Sequence, residues 1–130
     1  DVLAAHQERR GHKRHDVVMD VKTRLKQQGR PRASWPLEPE IVQRAGFAWL
    51  ATRGEQCGFD VRDGEVRADG YRQQRFFKQG KSKPIQFSTI DYTGLLTVIE
   101  PEAFLVALFN GIGPAKGFGC GMMMVRPTGR

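Results

Sequence analysis

The sequence predicts an α+β fold in which two helices cover one face of a mainly antiparallel sheet. Three observations predict it. Two stretches, residues 37–53 and 101–109, carry apolar side chains at helical spacing behind an early proline and acidic residues. Between them, residues 59–99 alternate in short runs punctuated by Asp-Gly and single glycines. Segments with strand composition, residues 15–25 and 122–125, stand outside the two helices. The resulting order is strand, helix, two or three strands, helix, strand, which is the ferredoxin-like split βαβ pattern.

At 130 residues the chain is one domain's worth, enough to bury about two-thirds of its unfolded surface. It divides into a basic leader with the first strand, residues 1–36, and the remainder of a single ferredoxin-like domain, residues 37–130. Twenty-one Lys and Arg oppose 14 Asp and Glu, a net charge of +7 and a pI near 9.9. That excess favours a polyanionic partner. Cys57 and Cys120 stand far apart, outside any metal-ligand spacing, and read as reduced thiols of a cytoplasmic protein. No apolar run approaches the ~18 residues of a membrane span, and no metal or cofactor is expected.

The leader holds nine Lys and Arg against four acids. Its residues 15–25, rich in valine, are expected to form the first strand, and residues 27–36, with Gly29, Pro31 and Pro36, a loop. His6, His12 and His15 lie in this leader without the carboxylate or thiol company that a metal requires.

Leu37-Glu-Pro-Glu40 opens the first helix, its acids set against the positive end of the helix dipole. Ile41, Ala45, Ala48, Trp49, Phe47 and Leu50 supply its buried stripe, and Gly54 and Gly58 stop it. Residues 59–62 and 65–68 flank Asp63-Gly64 as a short hairpin, and Asp69-Gly70 makes a second turn into residues 71–77. Residues 78–84 form a basic loop, with Arg72 and Arg75 beside Lys78, Lys81 and Lys83. Phe76 and Phe77 are available to stack on bases or to enter the core. Residues 85–92 alternate clearly, and residues 95–99 continue the sheet. Pro101 and Glu102 then open the second helix, with Phe104, Leu105, Leu108 and Phe109 as its apolar face.

After that helix comes the most unusual stretch. Residues 111–121 include Gly111, Gly113, Gly117, Gly119 and Gly121, with Lys116 as the single charge, and the apolar run 122–125 follows as a strand. Glycine allows positive φ and close backbone approach, and free N–H groups in such a loop can converge on an anion. One glycine past a helix is an ordinary cap. Five in one loop around a lysine favour contact with a polyanion, made more through backbone than through Lys116. Walker and Rossmann loops are excluded, because in both the helix follows the glycines.

Gly111-Ile112-Gly113-Pro114-Ala115-Lys116, then Gly117-Phe118, then Gly119-Cys120-Gly121 and an apolar run resembles the C-terminal signature of the CasE family. These are the CRISPR-RNA-processing endoribonucleases of type I-E Cascade complexes. The resemblance implies two ferredoxin-like domains in tandem, of which this chain matches the second. It implies metal-independent RNA cleavage, with the upstream 2′-hydroxyl attacking the adjacent phosphate. The catalytic histidine and its supporting tyrosine come, in the family, from the N-terminal domain. None of His6, His12 or His15 inherits that role, and no catalytic residue is named. This chain is therefore expected to bind the CRISPR repeat hairpin without cutting it. Its expected contacts are Gly111, Gly113, Lys116, Gly117, Gly119 and Gly121 in one loop, and Arg72, Arg75, Lys78, Lys81 and Lys83 in the other. The implied partners are that RNA, an N-terminal ferredoxin-like domain and other Cascade subunits, with no membrane. The alternative is a non-catalytic RNA-binding or structural module of the same fold.

Overall fold

The computed structural model describes residues 16–128, and its first element is a helix where the sequence predicts a strand. Helix α1 spans Val17–Gln27. Asp16 caps it, Oδ1 accepting the Met19 amide at 2.7 Å. Val18 and Leu25, seven residues apart, are buried, with Val17 and Val21 packed beside them. That is helical spacing, and it outweighs the β preference of the valines. The histidines of the leader lie outside the described residues.

Helix α2, Glu38–Cys57, begins at Leu37 with Pro39 in its first turn. It runs through Gly54 and ends at Gly58, whose φ of 74° is left-handed and whose N–H donates to the Gly54 carbonyl. Ile41, Val42 and Ala45 pack against α1, and Leu50 joins a second cluster further along the helix. Ala48, expected in the buried stripe, is exposed.

The strands form two separate antiparallel pairs. Strand β1, Phe59–Asp60, pairs with β4, Thr97–Val98, while β2, Val66–Phe76, pairs with β3, Ile85–Gly94. Asp63-Gly64 does turn the chain, Glu65 donating to the Arg62 carbonyl at 3.1 Å. The segments on either side of it do not pair, however. Phe59 is drawn into the second core, edge-on to Phe104 at 6.0 Å, and Val66 pairs with Gly94. Asp69-Gly70 is no turn either: β2 continues through it, with a register shift between Asp69 and Arg72. Gly70 and Tyr71 there oppose Ile90 alone, a bulge. Gln43 on α2 satisfies the neighbouring strand, donating to the Val66 carbonyl and accepting from the Ala68 amide, both at 2.8 Å.

Helix α3, Pro101–Asn110, buries Phe104 and Ala107. Leu105 and Phe109, expected on its apolar face, are 54% and 83% exposed. The final strand is absent: residues 120–128 have no ladder. Alternation survives without it, because Met123 packs into the second core while Met122 and Met124 are exposed.

One polar cluster ties α1 to the hairpin. Asp16 Oδ2 accepts from Tyr71 Oη at 2.5 Å and also from Ser88 Oγ. Burial first, and the Asp16 carboxylate second, push Tyr71 from 10.0 up to about 12. A raised tyrosine pKa adds stability that is complete below about pH 10 and is lost as pH rises through about 12. Tyr71→Phe is expected to cost on the order of 1 kcal/mol at neutral pH and to reduce the alkaline loss of stability. Melting curves from pH 8 to 12 check this; identical alkaline slopes for variant and parent would contradict it.

Candidate nucleic-acid interface

The β2–β3 hairpin extends well beyond the bulge, and its tip carries the first set of expected contacts. Lys81 closes the turn by donating its amide to the Lys78 carbonyl at 3.1 Å, with Gly80 at a φ of 80°. Lys78, Lys81, Lys83, Arg72 and Arg75 are all exposed, and none is ion-paired with a carboxylate among the described residues. Arg72 pairs across with Thr89 and Arg75 with Gln86. Strand alternation therefore sends these two arginines to opposite faces of the hairpin. Arg75 lies over the Phe77 ring at 5.7 Å.

The glycine loop divides into two kinds of position. Gly111 and Gly121 are where the chain crosses itself: Ile112 donates its amide to the Gly121 carbonyl at 2.8 Å. A Cβ on Gly121, at a φ of 92°, would overlap the Ile112 carbonyl oxygen. Gly113 faces the Trp49 ring, where a Cβ would stand 3.3 Å away. Gly117 and Gly119, by contrast, face open space. Much of the loop's donor capacity is internal. Phe118 and Cys120 donate to the Ala115 carbonyl at 3.1 and 3.3 Å, and Gly119 donates to Lys116 at 3.1 Å. These amides close a single 3-10 turn, Lys116–Phe118, and do not converge on an outside anion. The turn lifts Lys116 into solvent.

That turn also carries a residue the sequence reading passed over. Phe118 stacks on Phe87 of β3 at 5.1 Å and meets Phe76 of β2 edge-on at 5.0 Å, while Phe76 and Phe87 are themselves 5.7 Å apart. Three rings from three segments thus seat the glycine loop on the distal half of the hairpin. Lys116, two residues from Phe118, sits in the turn that these rings hold against the hairpin. Strand alternation puts Arg72 on this ring-bearing face and Arg75 on the other. The adjacent Phe76-Phe77 pair was the available signal: Phe76 faces the rings, and Phe77 is left exposed beside Arg75.

Among the described residues no group of three or more His, Cys, Asp or Glu side chains gathers to hold a metal. No helix among them is long and apolar enough to cross a membrane.

An α+β domain with a long basic hairpin braced by a glycine loop is the class of structure so defined. Residues 4–127 match the family model described as CRISPR associated protein, and the chain belongs to that family. It is 34% identical over 112 residues to the CRISPR system Cascade subunit CasE of Escherichia coli (strain K12), covering 85% of this chain and 52% of the relative. It is also 34% identical over 88 residues to the CRISPR-associated endoribonuclease Cse3 of Thermus thermophilus, covering 62% of this chain and 42% of that protein. A solved structure of CRISPR endoribonuclease Cse3 bound to a 19-nucleotide RNA matches 65% of this chain and 44% of its own. That match has a TM-score of 0.53 and 33% identity. The ferredoxin-like α+β class expected from the sequence stands on this likeness. The chain spans about half the length of the curated relatives it matches.

Proposed function

We propose that this chain is the RNA-holding, C-terminal domain of a CasE-type CRISPR endoribonuclease. The observation that carries the reading is the Phe76–Phe87–Phe118 cluster, which packs the glycine loop against the basic hairpin. The RNA-bound state of the solved relative supports it. Lys78, Lys81, Lys83, Arg72 and Arg75 neutralise phosphates of the repeat stem-loop, and Lys116 adds a cation from the loop. Gly117 and Gly119 leave room for close approach. Gly111, Gly113 and Gly121 act through the loop's closure. An A-form stem presents phosphates and shape more than readable base edges, so unpaired cations on a slender hairpin suit it. In the whole protein, an N-terminal half supplies the catalytic histidine. The 2′-hydroxyl then attacks the adjacent phosphate without metal, and the product RNA stays bound within Cascade, in the cytoplasm.

The isolated chain is expected to bind a labelled CRISPR repeat hairpin and leave it intact. Incubation in EDTA, read by native and denaturing gels, checks both halves of that statement. Clean cutting at one position would overturn the division of labour and point to His6, His12 or His15. Absence of salt-sensitive binding would overturn the RNA reading itself.

A further inference from the structure

Arg53 stands on α2 one turn after Trp49, and nothing in the function above uses it. Its guanidinium lies over the Trp49 ring at 5.1 Å. Trp49 in turn is stacked with Tyr92 of β3, centroids 6.2 Å apart and planes 15° from parallel. The Nε of Arg53 is buried and finds no hydrogen-bond acceptor among the described residues. Its Nη1 reaches Gln56 at a long 3.4 Å, and no described carboxylate pairs with it. A guanidinium held against an aromatic ring, its buried Nε closed to ligands and its Nη groups without a described carboxylate, is a cation lacking its counter-ion. Carboxylates and phosphates fit that planar fork.

The surroundings choose between those acceptors. Arg53 lines a groove of about 2600 Å³ that runs from Arg75 and Phe87 on the hairpin, past the glycine loop, to Trp49. Its charged members are Arg53, Arg75 and Arg126 against Asp16 and Asp91. Asp16 already accepts from Met19, Tyr71 and Ser88. The groove is thus continuous with the basic hairpin and has more cations than acids. From Phe87 to Tyr92 is five residues along β3, about 17 Å, so Arg53 is out of reach of the tip's own contacts.

We infer that Arg53 binds a separate phosphate of the RNA through its Nη groups, the Trp49 ring fixing the guanidinium. Trp49 is a positioning residue, holding the guanidinium over its ring. This rests on the RNA reading above.

The test is titration of the chain with the labelled stem-loop RNA at several salt concentrations. Arg53→Met keeps the aliphatic stem on Trp49 and removes the charge. It is expected to weaken binding about tenfold at 0.1 M salt and to reduce the log–log salt slope by about 0.7–0.9. Arg53→Lys should recover the slope but only part of the affinity, because an ammonium cannot fork. A folded Arg53→Met with the parent's affinity and slope overturns the site and leaves the RNA reading standing. Parent protein that fails to bind the RNA overturns both. If Arg53→Met melts early, Arg53→Gln is read by the same criteria.

Discussion

Replacing Gly121 by valine is expected to abolish RNA binding, and to do so by undoing the glycine loop. The new Cβ would overlap the Ile112 carbonyl oxygen, and the φ of 92° suits only glycine. Ile112 could not then donate to the Gly121 carbonyl, the bond that closes the loop's base. Together, clash and strain should cost about 3 kcal/mol or more, and Phe118 would leave the hairpin rings. Gly117 provides the matched control, since it lies in open space without a positive φ: Gly117→Ala should stay within about 0.5 kcal/mol of the parent. Gly119→Val falls between them, strained at a φ of 81° but meeting nothing. Lys116→Ala should fold normally and lose only its own phosphate contact. Melting curves and RNA titrations on the same samples rank the four. A Gly121→Val protein that melts with the parent would show that the Ile112–Gly121 closure does not hold the loop.

The second large effect belongs to the hairpin tip. Replacing Lys78, Lys81 and Lys83 together by alanine should reduce the log–log salt slope by about 2 to 3. Affinity at 0.1 M salt should fall by roughly 150-fold if each of the three contacts contributes about 1 kcal/mol. Stability should stay within about 0.5 kcal/mol, because the three side chains are exposed and hold no described ion pair. An unchanged salt slope would reduce these lysines to a solvated tip and place the RNA elsewhere on the groove.

What the sequence disclosed depended on how local the deciding interactions are. Helix α2 was legible because Pro39 and the acids Glu38 and Glu40 beside it at the start, and Gly58 at the end, each act within one turn. The basic tip was legible for the same reason, being charge and turn residues in one short run. Residues 17–27 were misjudged by weighing valine composition above periodicity, although Val18, Val21 and Leu25 already lie on one helical stripe. The Asp63-Gly64 turn was real, but its strands were assigned to each other when burial of Phe59 against Phe104 sends β1 to β4. In the tail, the alternation of Met122, Met123 and Met124 was correct, and what is missing is a neighbouring strand. Phe118 and Arg53 were invisible for a further reason. Phe118 finds its rings 31 residues or more upstream, and Arg53 takes its meaning from a Trp49 ring pinned by Tyr92. Trp49 and Arg53 lie one helical turn apart, but no local spacing encodes the Tyr92 or Phe118 contacts.

The separation of the strands into two pairs gives this domain an uneven capacity to change. Between them the two buried clusters draw on β1, on the proximal parts of β2 and β3, and on the three helices, so substitutions there disturb the core. Residues 77–83, beyond the ring cluster, are exposed and belong to neither buried cluster. Doubling the length of that tip would add only about 0.6 kcal/mol of loop-closure cost. A lineage could therefore lengthen, shorten or recharge its reach toward a different stem while the anchoring rings of Phe76, Phe87 and Phe118 stay in place. Reach can diverge quickly between descendants, and the seat of the loop can change only slowly.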